Sequence, residues 1–177
     1  MSPAMNRQLL IVLIAVVCFA SEARANERIE LFSDETLTNH TLIDNTPRIV
    51  DIYVAQFDTP GTTGCAFRLE GSPGFTGVWL GDTSEWYTAG NSQAGITVVY
   101  QKCLIGSAVL LKATYQLFGT SASCSSLKTT NDAIGIPGQV YCDRCFSEYF
   151  LPGNSLAVNC AVTTEPTTWG RVKALYR

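Results

Sequence analysis

The chain predicts an all-β fold, an antiparallel β-sandwich of Ig-like architecture stapled by disulfides, with a short amphipathic C-terminal segment. Short β-branched and aromatic runs recur along it, and Gly, Pro and Asn turn signals separate them. No amphipathic helix of ordinary length intervenes between the runs. Six cysteines follow residue 25: Cys65, Cys103, Cys124, Cys142, Cys145 and Cys160. An even count of this kind reads as a disulfide framework in an oxidising compartment.

Ile29 to Phe32 forms a short strand within a polar, turn-rich leader over 26–47. Arg48 to Phe57 is the clearest strand, too apolar on both faces for a sheet edge, and Thr59-Pro60-Gly61 ends it with turn chemistry. Ala66 to Glu70 and Phe75 to Leu80 follow, separated by Gly71-Ser72-Pro73-Gly74. Gly90-Asn91 is a turn, and Ile96 to Lys102 then alternates as a strand. Ala108 to Phe118 places Leu111, Ala113, Tyr115 and Leu117 on one strand face, with helix as the alternative. Gln139 to Cys142, Ser147 to Leu151 and Ser155 to Val162 complete the set, and Pro152-Gly153-Asn154 joins the last two as a hairpin.

Residues 1–25 read as a cleavable export signal. Arg7 supplies the basic region, Leu9 to Ala20 the apolar core, and Ala23-Arg24-Ala25 the cleavage site. The apolar run of about twelve residues is too short to span a bilayer, and no later run approaches the required length. The division that follows is signal 1–25, β-sandwich domain 26–165 and C-terminal tail 166–177. The destination is the periplasm, cell surface or exterior. Removing the signal leaves ten basic and fourteen acidic side chains. This mild acidity argues against nucleic acid or anionic lipid as the main partner.

Each candidate chemistry has a plainer structural counterpart. Cys142-Asp143-Arg144-Cys145 has the C-x-x-C spacing of thiol oxidoreductases but lies between strands, without the helix N-terminus that chemistry uses. It is read as structural. Cys65 with Cys103, and two bridges among Cys124, Cys142, Cys145 and Cys160, is the pairing expected; a zinc site at the last four is the lesser reading. His40 is the single histidine and reads as a solvated surface residue within an Asn39-His40-Thr41 sequon. No G-x-S-x-G elbow supplies a nucleophile. The EF-hand pattern is absent, so no cofactor or metal is expected.

The best binding candidates cluster around one loop. Trp86 and Tyr87 offer aromatic surface beside Asp82, Asn91 and Gln93, a combination suited to carbohydrate or peptide, whereas Trp79 is assigned to the core. The tail, TWGRVKALYR, places Trp169, Val172, Leu175 and Tyr176 on one helical face and carries Arg171, Lys173 and Arg177 without an acid. It is a docking segment, an exposed address or, as the least favoured reading, a membrane-surface helix, for which ten residues with three cations bind weakly.

The stretches DNTPRIVDIYVAQFDTPGTTGCAFRL and GNSQAGITVVYQKCL, with the TTWGRVKALYR end, carry a resemblance. They are similar to a group of uncharacterised exported bacterial proteins that share this order and end in TWG-x-x-K-x-LYR. The resemblance implies a bacterial source, an irrelevant sequon and a tail that serves as a shared address. It assigns no catalytic residue. The function expected is a non-catalytic surface or extracellular binding module whose partner is a carbohydrate or surface protein. The alternatives are a structural subunit of an extracellular assembly, and a secreted hydrolase or a thiol oxidoreductase using Cys142 and Cys145.

Overall fold

A computed structural model describes residues 28–130, 140–144, 148–151 and 155–160. The expected signal over 1–25, Cys145 and the tail over 166–177, with Trp169, Lys173, Tyr176 and Arg177, lie outside the described residues. Among the described residues ten strands follow in order: β1 Arg28–Phe32, β2 Thr41–Leu42, β3 Pro47–Gly71, β4 Val78–Thr83 and β5 Tyr87–Asn91, then β6 Gly95–Phe118, β7 Ser125–Thr130, β8 Val140–Arg144, β9 Glu148–Leu151 and β10 Ser155–Val158. Among the described residues there is no helix, so Ala108 to Phe118 is strand.

Two long strands organise the molecule. β3 pairs antiparallel with β6 from Pro47↔Phe118 through to Phe67↔Ile96. β1 and β8 flank β3, while β4 and β5 flank the two halves of β6. The end of β3 crosses to a second layer, where Arg68–Gly71 pairs with β7, and β7 continues through β10 to β2. The β2–β10 pair is parallel, a departure from the purely antiparallel sandwich expected.

The Thr59-Pro60-Gly61 signal does not end a strand. It produces a joint crimp, with register shifts between Gln56 and Gly64. Asp58 and Gln101 take φ of 53° and 56°, and Gly106 opposite Thr59 takes 93°. Bulged residues of this kind bend paired strands without unpairing them, so two predicted strands fuse on each side. The turn expected at 152–154 lies outside the described residues; among those described, β9 pairs with β8, whereas β10 pairs with β7 and β2.

The core lies between the layers. Ile29, Leu31, Ile52, Val54, Leu111 and Leu117 from the first layer meet Leu42, Leu127, Leu156 and Val158 from the second, all buried. Alternation along β6 explains its face: Leu111, Ala113, Tyr115 and Leu117 point inward, as their period of two predicts. Each fully buried aliphatic side chain contributes roughly 1.5–3 kcal/mol of transfer free energy.

The cysteine pairing meets expectation in the C-terminal half and departs from it at Cys65. Cys124 is bonded to Cys160, joining the turn before β7 to the end of β10. Cys103 is also disulfide-bonded, but not to Cys65, which is a free, buried thiol. Cys65 faces the core at a position where the Tyr100 hydroxyl lies 3.1 Å from its sulfur. Cys103 is exposed on β6, so the two cysteines have different surroundings.

Candidate binding surface

The loop between β4 and β6 spends most of its polar atoms on itself. Asp82 accepts the indole N–H of Trp79 at 3.0 Å, the Ser92 backbone N–H at 2.6 Å and the Ser92 hydroxyl at 2.6 Å. Ser92 is fully buried, a role its place in a polar turn did not announce. Asn91 Oδ1 accepts the backbone N–H groups of Gln93 and Ala94 at 3.1 and 2.8 Å, the self-bonding that suits Asn to turns. Trp86 donates its indole N–H to the Val109 carbonyl at 2.7 Å and packs edge-on against Tyr100. It thereby closes the crimp in β6 from outside. Tyr87 and Gln93 are exposed, Tyr87 by 68%. Of the five residues the sequence singled out here, those two present free side-chain surface. Trp79 packs against the core, as assigned.

A larger surface lies on the outer side of β3 and β6. Ile49, in a run read as too apolar on both faces for a sheet edge, is 62% exposed, and among the described residues this part of β3 is paired along one edge alone. β1 reaches only to Tyr53, and the chain then leaves over 33–40 towards β2. The departing chain and β3 enclose an open groove of about 650 Å³, lined by Ile43, Ile49, Asp34, Glu35, Asp51 and Tyr53 among others. A second groove of about 510 Å³ adjoins it through the shared residues Glu35 and Tyr53, and is walled by Trp86, Val109, Glu85 and Lys112.

Two of the carboxylates along the first groove, Asp34 and Asp51, are held ionised. Asp34 accepts hydrogen bonds from the Thr36 hydroxyl, from Thr38 and from the Asn39 N–H, which together bring its pKa to about 2. Asp51 accepts from the Thr114 hydroxyl at 2.8 Å and pairs with Lys112 at 3.1 Å, which lowers its pKa and raises that of Lys112. Arg48 donates to the Ile43 carbonyl. Glu35 and Glu85 have no ion-pair partner among the described residues. The surface is therefore an apolar floor with an acidic rim, which no residue type in the loop pattern had signalled. Its legible trace is the pairing of exposed aliphatics with acids at alternate positions of β3, Ile49 and Asp51.

The candidates for chemistry lie elsewhere. His40 is half-buried, not freely solvated: its ring stacks on Phe32 at 4.3 Å, Nδ1–H donates to the Leu31 carbonyl at 3.0 Å and Nε2 faces Glu30 at 3.4 Å. Cys142 lies within strand β8, opposite Cys65 in register and away from any helix N-terminus among the described residues. Among the described residues no cluster of three or more His, Cys, Asp and Glu groups is arranged to hold a metal.

No protein-family model and no curated protein matches the chain. Solved structures do match in fold. The chain is similar to a cohesin module of a family 33 glycoside hydrolase from Clostridium perfringens, at 7% identity and a TM-score of 0.52, over 77% of this chain and 99% of that one. A third cohesin of ScaC from Acetivibrio cellulolyticus, solved with the ScaB dockerin, aligns at 11% identity and a TM-score of 0.49, over 75% and 98%. The seventh ScaB type I cohesin from Pseudobacteroides cellulosolvens aligns at 11% identity and 0.46, over 78% and 96%. The Clostridium module carries the likeness, and the likeness is one of fold.

Proposed function

We propose that this chain is an exported, non-catalytic binding module that recognises a protein partner through the outer face of β3 and β6. The observation that carries this reading is the pair of adjoining grooves, in which exposed Ile43, Ile49 and Val109 sit beside acidic side chains. Exposed apolar side chains gathered into a rimmed patch favour association, because their burial releases water while the charged rim sets register. The sandwich offers this face on a rigid scaffold stapled by Cys124–Cys160, and its likeness in fold to a cohesin module supports a binding role. The export signal expected over 1–25 favours the exterior as its workplace.

The test immobilises the mature chain and measures binding to proteins of the producing organism's envelope and culture fluid, alongside a glycan array. Ile49→Asp is expected to abolish protein binding, while Tyr87→Ala leaves it within two-fold. Loss with Tyr87→Ala alone, or binding confined to glycans, overturns the assignment to this face.

A second reading, a structural subunit of an extracellular assembly, is favoured by one observation. On the side away from β6, β3 from Pro47 to Ile52 has no strand partner among the described residues. An open edge of this kind can accept a strand from another molecule. Concentration-dependent growth in size-exclusion chromatography, removed by Ile49→Pro, would support it.

A further inference from the structure

The grooves have a complement within the chain. Lys112 is paired with Asp51, and Asp34, Glu35 and Glu85 outnumber Arg48, which donates to the Ile43 carbonyl, so the rim keeps a net negative charge. Such a trough fits a cationic segment with large apolar side chains. Residues 169–177 have that composition: Trp169, Val172, Leu175 and Tyr176 with Arg171, Lys173 and Arg177, and no acid.

The place where the described chain ends makes the fit reachable. Asn159 is hydrogen-bonded to both backbone groups of Asp44, at 2.7 and 3.0 Å. Asp44 lies between Ile43 and Asn45, and both of these line the first groove. Cys160 follows Asn159 and is tied down by Cys124. The chain therefore departs from the groove's own rim. The eight residues 161–168 can extend over roughly 25–30 Å from this point beside the first groove. A tethered segment also binds at an effective concentration in the millimolar range, so modest contacts suffice to keep the groove occupied.

We propose that Trp169–Arg177 occupies the acidic groove of its own chain, its apolar side chains on the Ile49 and Val109 floor and its cations towards Glu35 and Glu85. This rests on the reading of that face as a binding surface, and it adds regulation: an outside partner must displace the tail. The tail is then a built-in competitor that shields the apolar floor until a tighter ligand arrives.

Zero-length carbodiimide cross-linking of the full mature chain, followed by peptide mapping, tests the proposal. Lys112–Asp51, an ion pair at 3.1 Å, is the internal positive control. The expected result is an amide between Lys173 and Glu35, Glu85 or Asp34, abolished by Lys173→Arg, whose guanidinium does not couple. Ile49→Asn with Val109→Asn should lower that yield at least three-fold at an unchanged control yield. Coupling of Lys173 to carboxylates outside the grooves, or to none while the control couples, overturns the proposal. In a mixture of ¹⁴N- and ¹⁵N-labelled chains, cross-links between labels overturn the own-chain occupant. If Lys173 never couples in the groove yet Ile49→Asp abolishes partner binding, the tail's place falls and the binding module stands.

Discussion

Asn159 grips the backbone of Asp44 from both sides, its Oδ1 accepting the N–H at 2.7 Å and its Nδ2 donating to the carbonyl at 3.0 Å. The same amide donates to the Ser121 carbonyl at 2.8 Å, and the Asp44 carboxylate receives the N–H groups of Gly119 and Ser121 at 2.6 and 3.0 Å. One knot thus joins the end of β10, the β2–β3 connection and the turn after β6. Asn159 sits at φ 53°, a left-handed conformation that Asn tolerates better than most residues. Asp44→Ala strands two amide donors and is expected to cost about 2–4 kcal/mol, and Asn159→Ala about 1–3 kcal/mol. Urea denaturation at neutral pH measures both; losses under about 0.5 kcal/mol would disprove the knot's role.

Acid should loosen this knot. Burial raises the pKa of Asp44, but hydrogen bonds from the Ser121 hydroxyl and from the amides of Ser121, Gly119 and Thr120 outweigh it, and the net shift is downward. Asp51 is also lowered, and Asp34 stands at about 2. A carboxylate with a depressed folded pKa stabilises the protein fully above its unfolded value near 4, and that contribution is lost as pH falls through the folded value. Urea midpoints should therefore be flat from pH 7 to about 4 as far as these groups are concerned, then fall towards pH 2. Asp44→Asn should flatten the fall; an unchanged slope would remove Asp44 from the cause.

The Cys124–Cys160 bridge closes a loop of sequence separation 36. Loop-closure entropy assigns such a bridge about 3–4 kcal/mol. Cys124→Ala with Cys160→Ala should lower the unfolding free energy measured in urea by that amount, with Cys65 and Cys103 untouched. A shift below about 1 kcal/mol would mean that Asn159 and the β7–β10 pairing hold the strand without the bridge.

Cys65 should be a silent thiol. It is buried and lies against Tyr100, whose hydroxyl donates to Gln56 Oε1 at 2.5 Å, while Gln56 Nε2 donates to Thr62 at 3.3 Å. In native conditions a thiol reagent should not detect Cys65. In denaturant without reductant, the parent should release one more equivalent than Cys65→Ser. Tyr100→Phe leaves the Gln56 carbonyl oxygen without this donor and is expected to cost about 1–2 kcal/mol. Rapid native labelling of Cys65 would contradict its placement.

Trp86 and Tyr87 are neighbours with opposite duties. Trp86→Ala removes the bond to Val109 and the contact with Tyr100, and should cost about 2–3 kcal/mol. Tyr87→Ala, at an exposed site, should stay within about 0.5 kcal/mol. Equal losses, read by thermal or urea unfolding, would erase the distinction between a brace and a free side chain.

Much of the fold was legible because it depends on local periodicity. The alternation of Leu111, Ala113, Tyr115 and Leu117 announces an inward strand face, and the structure buries all four. Strand ends were less legible, since Thr59-Pro60-Gly61 reads as a stop yet forms a bulge when β6 crimps in step. β2, β5 and β7 were not recognised: Ser125–Thr130 is polar and is a strand because the end of β3 and β10 pair with it. For the loop candidates, residue type pointed to ligand contact at Asp82, Trp86 and Asn91, whereas their polar atoms turn inward to Ser92, Val109 and the 91–94 turn.

By itself the sequence determined the all-β class, the inward face of its longest strand and the presence of cysteines able to staple it. These follow from side-chain period and composition, which are properties of neighbours along the chain. Only the tertiary structure decided which cysteines pair, that Ile49 faces outward, and that Glu35 and Glu85 meet around one apolar trough. Each of those depends on residues tens of positions apart. Their proximity is set by strand register and by where two long strands bend, and no local pattern encodes either.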